Sequence, residues 1–411
     1  MKLLTLPSFL LGRREAILDV AHGRKTILLG FLFVVSAGLA RTWDTVDLLA
    51  NPFAVLRPIG ASLATSTVFF LIIATAVAIG CRASPELRPN WVALWRSILA
   101  VFWMTAPLAW IYAVPVERFT SVATSVDLNF NALFLVALWR VVLMIRAVTV
   151  LLDVRVAPIT FLTLWFGDIV VFAAMALTPV PVFNAMAGIN VEDPESIMAA
   201  QKFATQALAL VALLPLTILA LGMFLVVRPA SPWSFRPRPA PARSLWILAI
   251  IAIVGWVPGM AVTQPELRRA TAVDRAVERS SPKDAVALLK GVQTSDLPPH
   301  WRPRMHSKSR EGWDGYLGRI ATIQSVMLDP ATPTWVRDRI DGAIDSELRN
   351  SFVPFGTWEH VIKTDDHLVP TAFLERFDEV LDTYMQSSRH VDAAERAAWD
   401  GRTPRDGGES R

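Results

Sequence analysis

The chain has 411 residues, of which 53% are hydrophobic and 18% charged; its formal net charge is +4 and its mean hydropathy +0.41. That balance excludes a disordered polyelectrolyte and argues against a water-soluble fold. The basic excess is uneven: residues 1–262 hold 19 Lys+Arg against 12 Asp+Glu, whereas residues 263–411 hold 21 against 24. A nucleic-acid-binding protein would carry a basic stripe on its polar part, so no nucleic-acid partner is expected.

Apolar runs occur at 26–40, 60–81, 91–114, 130–152, 156–178, 203–227 and 245–262. Most approach the roughly 20 residues that cross a ~30 Å hydrocarbon layer as a helix. Only helices satisfy their own backbone hydrogen bonds there, so the predicted class is all-α. The architecture is a polytopic membrane bundle of about seven spans over 1–262, followed by an extracytoplasmic all-helical domain over 263–400 and a disordered tail over 401–411. The first run, with basic residues before it and Gly38-Leu39-Ala40 at its end, also fits a cleaved leader, although about 25 residues precede it.

The segments between runs alternate in charge. Arg13, Arg14, Arg24 and Lys25 precede the first; Arg82 and Arg88 follow the second; Arg146 and Arg155 follow the fourth; Arg228, Arg236, Arg238 and Arg243 follow the sixth. The intervening loops balance Arg41, Arg57, Arg118 and Lys202 with acids. Lys and Arg stay on the cytoplasmic side, which predicts a cytoplasmic amino terminus and an extracytoplasmic carboxyl terminus.

Residues 42–59, broken by Pro52 and Pro58, suggest a re-entry loop or a short interfacial helix with Trp43 and Phe53 toward the acyl chains. Trp91, Trp110, Trp233, Trp246 and Trp256 fall near run ends, where amphipathic rings anchor. Residues 228–244, with five prolines and four arginines, predict an extended linker at the lipid surface. Thr263 to Glu266 has the form of a capping box that restarts a helix running to about 279. Ser281-Pro282 predicts a further helix start and Gly291 its end. Three amphipathic stripes follow, marked by Trp313 to Met327, by Val336, Ile340, Ile344 and Leu348, and by Phe373 to Met385.

Ionisable residues within spans are few. Arg96 and Arg146 lie close enough to inner ends to snorkel. Arg140 and Asp168 do not: they fall at matching depth on consecutive antiparallel spans, and lipid penalises either charge alone. They are the candidate site, as an intramembrane charge pair that serves structure or transport. Five of six histidines lie after residue 299, and His360 and His367 flank Asp365 and Asp366. No metal-ligand spacing joins them, and no nucleotide loop or nucleophile motif appears, so neither metal nor cofactor is expected. The single cysteine, Cys81, leaves no intramolecular disulfide. The helix count and the apolar fourth run with Trp139-Arg140 resemble bacterial Yip-type membrane proteins, a resemblance that implies no residue role.

The expected function is that of a non-enzymatic inner-membrane scaffold or interaction protein. Its partners would be the bilayer and an envelope protein held by residues 263–400. The alternative is a transporter or channel component using Arg140 and Asp168.

Overall fold

The computed structural model describes residues 2–82, 84–177, 227–230, 235–299, 301–302, 319, 322–323 and 325–350. These residues are mostly helical and form no strand; one isolated parallel bridge joins Gly23 and Arg238. The helices are α1 Thr5–Leu10, α2 Arg14–His22, α3 Thr26–Thr42, α4 Arg57–Gly80, α5 Trp91–Met104, α6 Val122–Leu152, α7 Val156–Leu177, α8 Arg243–Val254, α9 Val257–Glu278, α10 Pro282–Leu289 and α11 Thr334–Asn350.

Among the described residues, four stretches are long and apolar enough to cross a membrane: Pro52–Gly80, Pro85–Ile111, Asp127–Leu152 and Arg243–Glu278. Thr26–Thr42 and Val156–Gly167 are shorter apolar helices. The expected run at 203–227 lies, but for Val227, outside the described residues.

Burial separates inner from outer helices. The apolar window of Pro85–Ile111 is 72% buried, against 22% for Pro52–Gly80 and 11% for Arg243–Glu278. α3 and α5 therefore form the centre. Leu29 and Phe33 of α3 and Leu94 and Ile98 of α5 share a core with Phe69 and Ile73 of α4 and Leu143 and Ala147 of α6. α8 turns Leu245 and Ala249 inward and leaves Ile247, Ile250, Ile251 and Val254 exposed. An apolar outer stripe of that kind suits lipid rather than water.

The amino-terminal segment belongs to the bundle, which its basic residues alone did not suggest. Leu6 and Phe9 of α1 and Ile17 and Val20 of α2 join the same core. Along α6, Trp139 Nε1 donates to the Leu10 carbonyl at 2.9 Å and Arg146 Nε to the Gly12 carbonyl at 3.4 Å. Arg14 pairs with Asp153 at 3.9 Å. Gly12 makes this turn with φ +73°, a conformation that suits glycine, and a Cβ there would lie 3.3 Å from Arg146 Cγ. Leu3, Leu4 and Leu11 remain exposed on the far side.

Two local expectations are corrected. Thr263 to Glu266 is no capping box, because α9 runs through it without a stop. The Thr263 hydroxyl donates back to the Gly259 carbonyl and to that of Trp43, while Glu266 binds Arg118. The break lies earlier, at Gly255 and Trp256, between α8 and α9. Trp43 does not face acyl chains: it is 9% exposed and stacks on Trp256, with ring centroids 6.4 Å apart. Gly259 makes room for it, since a Cβ there would lie 2.7 Å from the Trp43 ring. The connection between α3 and α4 holds the short 3-10 stretch Pro52–Leu56, with Phe53 exposed.

The chain divides into two compact units, one taking the described residues up to Arg268 and the other those from Arg269. In the second, α10 starts at Pro282 as expected, although the Ser281 hydroxyl bonds Asp284 Oδ2 at 2.8 Å rather than the backbone. Gly291, at φ +68°, follows its end. Val336 and Ile340 of α11 are buried as their spacing predicts. Trp335 Nε1 donates to the Val292 carbonyl at 3.3 Å, which ties α11 to the segment after α10. The stripes at 313–327 and 373–385 lie largely or wholly outside the described residues, as do the tail and His300, His306, His360, His367 and His390.

Candidate functional site

Pro107 sets the local geometry of the site. It has no N–H to offer the carbonyl four residues back, and its ring crowds that turn, which disfavours continuing α5 as an α-helix. α5 ends at Met104, and residues Ala106–Ala113 follow as a 3-10 helix. The junction is Thr105, whose side-chain hydroxyl donates to the Phe102 carbonyl at 2.7 Å and so satisfies one of the last acceptors of α5. At 1.5 Å per residue, Thr105 lies ~21 Å along α5 from Trp91, deep within the span.

Arg140 is brought to this junction by α6. It lies ~18 Å along α6 from its end at Leu152. Its Nε donates to Thr105 Oγ1 at 3.0 Å, and its guanidinium sits over the Phe102 ring, 5.2 Å from the centroid. Three effects offset desolvation of the cation: a hydroxyl acceptor, the negative face of an aromatic ring, and the negative end of the α5 dipole. α6 and α7 are joined at Asp153–Arg155 and pack along each other, so the backbone of Asp168 lies at a depth matching Arg140. The Asp168 side chain lies outside the described residues.

Two further polar layers flank this one. In the first, the buried Ser36 hydroxyl donates to the Ala252 carbonyl at 2.9 Å and accepts from Trp110 Nε1 at 3.1 Å and Trp256 Nε1 at 3.4 Å. Beyond it, Gln264 Nε2 donates to the Trp43 and Val46 carbonyls at 3.0 Å each, and Gln264 Oε1 accepts from Leu48 N at 2.9 Å. Arg118 and Glu266 close this end with an ion pair of 2.6 Å. Trp110 and Trp256 therefore act as hydrogen-bond donors between helices as well as rings at span ends.

The other layer lies where the linker meets the amino-terminal helices. Arg238 donates from Nη1 to Asp19 at 2.7 Å and from Nη2 to Glu15 at 3.0 Å. Its backbone N–H donates to the His22 carbonyl at 3.0 Å, and its carbonyl accepts from Arg24 N at 3.3 Å. The hydrogen bond to Asp19, foremost, holds Arg238 more firmly protonated than an ordinary arginine. His22 packs against Phe235 with ring centroids 5.0 Å apart. Burial, and secondarily the charge of Arg238, push its pKa below the usual histidine value.

Of the sequence-predicted pair, Arg140 is thus placed at a helix break. Thr105 and Phe102, its partners there, were missed; the signal for them was Pro107, which marks the break within an otherwise apolar run. Among the described residues no group of three or more His, Cys, Asp or Glu could hold a metal ion. Comparison with protein-family models, with curated proteins and with solved structures gives no match, so the Yip-type resemblance gains no support.

Proposed function

We propose that this chain is a bacterial inner-membrane protein with seven crossings, a cytoplasmic amino terminus and an extracytoplasmic carboxyl-terminal helical module. We propose that it works as a non-enzymatic scaffold, with residues 263–400 engaging an envelope protein. The observation that carries this reading is the 36-residue helical stretch Arg243–Glu278, apolar and lipid-facing in its first half and polar in its second. Thr263, Gln264 and Glu266 clamp that stretch to the α3–α4 connection and to Arg118. A helix fixed in this way suits a module displayed beyond the membrane. Site-specific photocrosslinking in intact cells tests it. Probes within 269–398 should trap a defined partner, and Arg140→Gln should leave that product in place. Absence of any protein adduct from this region would contradict the scaffold reading.

A second reading, a transporter or channel component, is favoured by one observation: Arg140 sits at an α-to-3-10 break deep in the bundle. Irregular backbone at that depth commonly lines a substrate route. Under this reading Arg140→Gln abolishes solute flux in reconstituted vesicles, while deletion of the carboxyl-terminal module does not.

A further inference from the structure

An open pocket of about 290 Å³ lies at the start of α5, lined by Asn90, Val92, Ala93, Arg96 and Phe235. One wall is the first turns of α5. The other is the linker, whose position is fixed by the Arg238 clasp on α2. Arg96 is exposed and forms no ion pair among the described residues, and none of the described lining residues is a carboxylate. Asn90 Oδ1 already accepts from Ala93 N at 3.1 Å, which leaves the carboxamide NH2 as its donor. Val92, Ala93 and Phe235 add an apolar wall. One cation, one neutral donor and an aromatic side chain at the end of an apolar span match a molecule with an anionic head and hydrocarbon tails.

We infer that this pocket binds the phosphate headgroup of an anionic phospholipid, with Arg96 and the Asn90 amide on the phosphate oxygens and Phe235 against the glycerol and upper acyl carbons. Glu15 and Asp19, on the helix that the linker clasps, are engaged by Arg238. The inference goes beyond the scaffold reading and stands independently of it.

Native mass spectrometry of the full chain in neutral detergent tests it, with phosphatidylglycerol, phosphatidylcholine and inorganic phosphate as probes. Phosphatidylglycerol should bind more tightly than phosphatidylcholine. Arg96→Gln should weaken that binding by about tenfold, the loss of one charge-assisted hydrogen bond. Arg96→Lys should retain most of it, and Arg155→Gln, a basic residue outside the pocket, should leave it unchanged. Equal binding of the two lipids, an equal loss in Arg155→Gln, or binding of inorganic phosphate without the lipid would each overturn the assignment.

Discussion

A guanidinium deep in hydrocarbon costs about 2.5–3.5 kcal/mol on the insertion scale, so the partners of Arg140 decide whether the bundle tolerates it. Replacing Thr105 with Val removes the acceptor at Nε. We expect a loss of about 1–2 kcal/mol in unfolding from bicelles, with Thr105→Ser close to the parent. For the proposed partner, Asp168→Asn and Arg140→Gln should each destabilise, and the double change should recover much of the loss, because it strands no charge. Additive losses in that cycle would exclude an interaction between the two. His22 gives a pH dependence of known sign. Its folded pKa is lowered, so its contribution is intact above the ordinary value of 6.5 and is lost as pH falls from there through the folded value. The thermal midpoint should fall on acidification across that window, and His22→Gln should flatten the slope.

Elements of this protein share one apolar core and are fixed to one another further at a few polar points. The clasp of Arg238 on Glu15 and Asp19 predicts that Arg238→Ala frees the linker, measured as faster protease cleavage between residues 228 and 243. High salt should have a smaller effect, because the Arg238–Asp19 pair is partly buried and short, and so is only weakly screened. Gly259→Ala should destabilise by about 1–3 kcal/mol, since the added methyl meets the Trp43 ring and one of the two helices must shift. Length and hydropathy made most described spans legible in the sequence. Pro107 and the Gly255-Trp256 junction were visible as residues, but their consequence depends on which helix packs opposite. The apparent capping box misled because Thr and Glu at that spacing also suit a continuous helix whose side chains find partners on other elements. The part of the two amino-terminal helices in the core was hidden because they are only six and nine residues long, below the length that signals membrane association.

For the molecule as a whole, the described residues divide into two compact units between Arg268 and Arg269. A fragment of residues 269–398 should therefore be soluble and helical by far-UV circular dichroism, whereas one that starts at 243 retains the apolar α8 and should require detergent. Matched reporter fusions test the central claim, the membrane topology, most directly. A periplasm-active reporter placed after residue 400 should be active, and a cytoplasm-only reporter at residue 236 should be active. Activity of the cytoplasm-only reporter at the carboxyl end would contradict the orientation and, with it, the assignment of the helical module to the envelope.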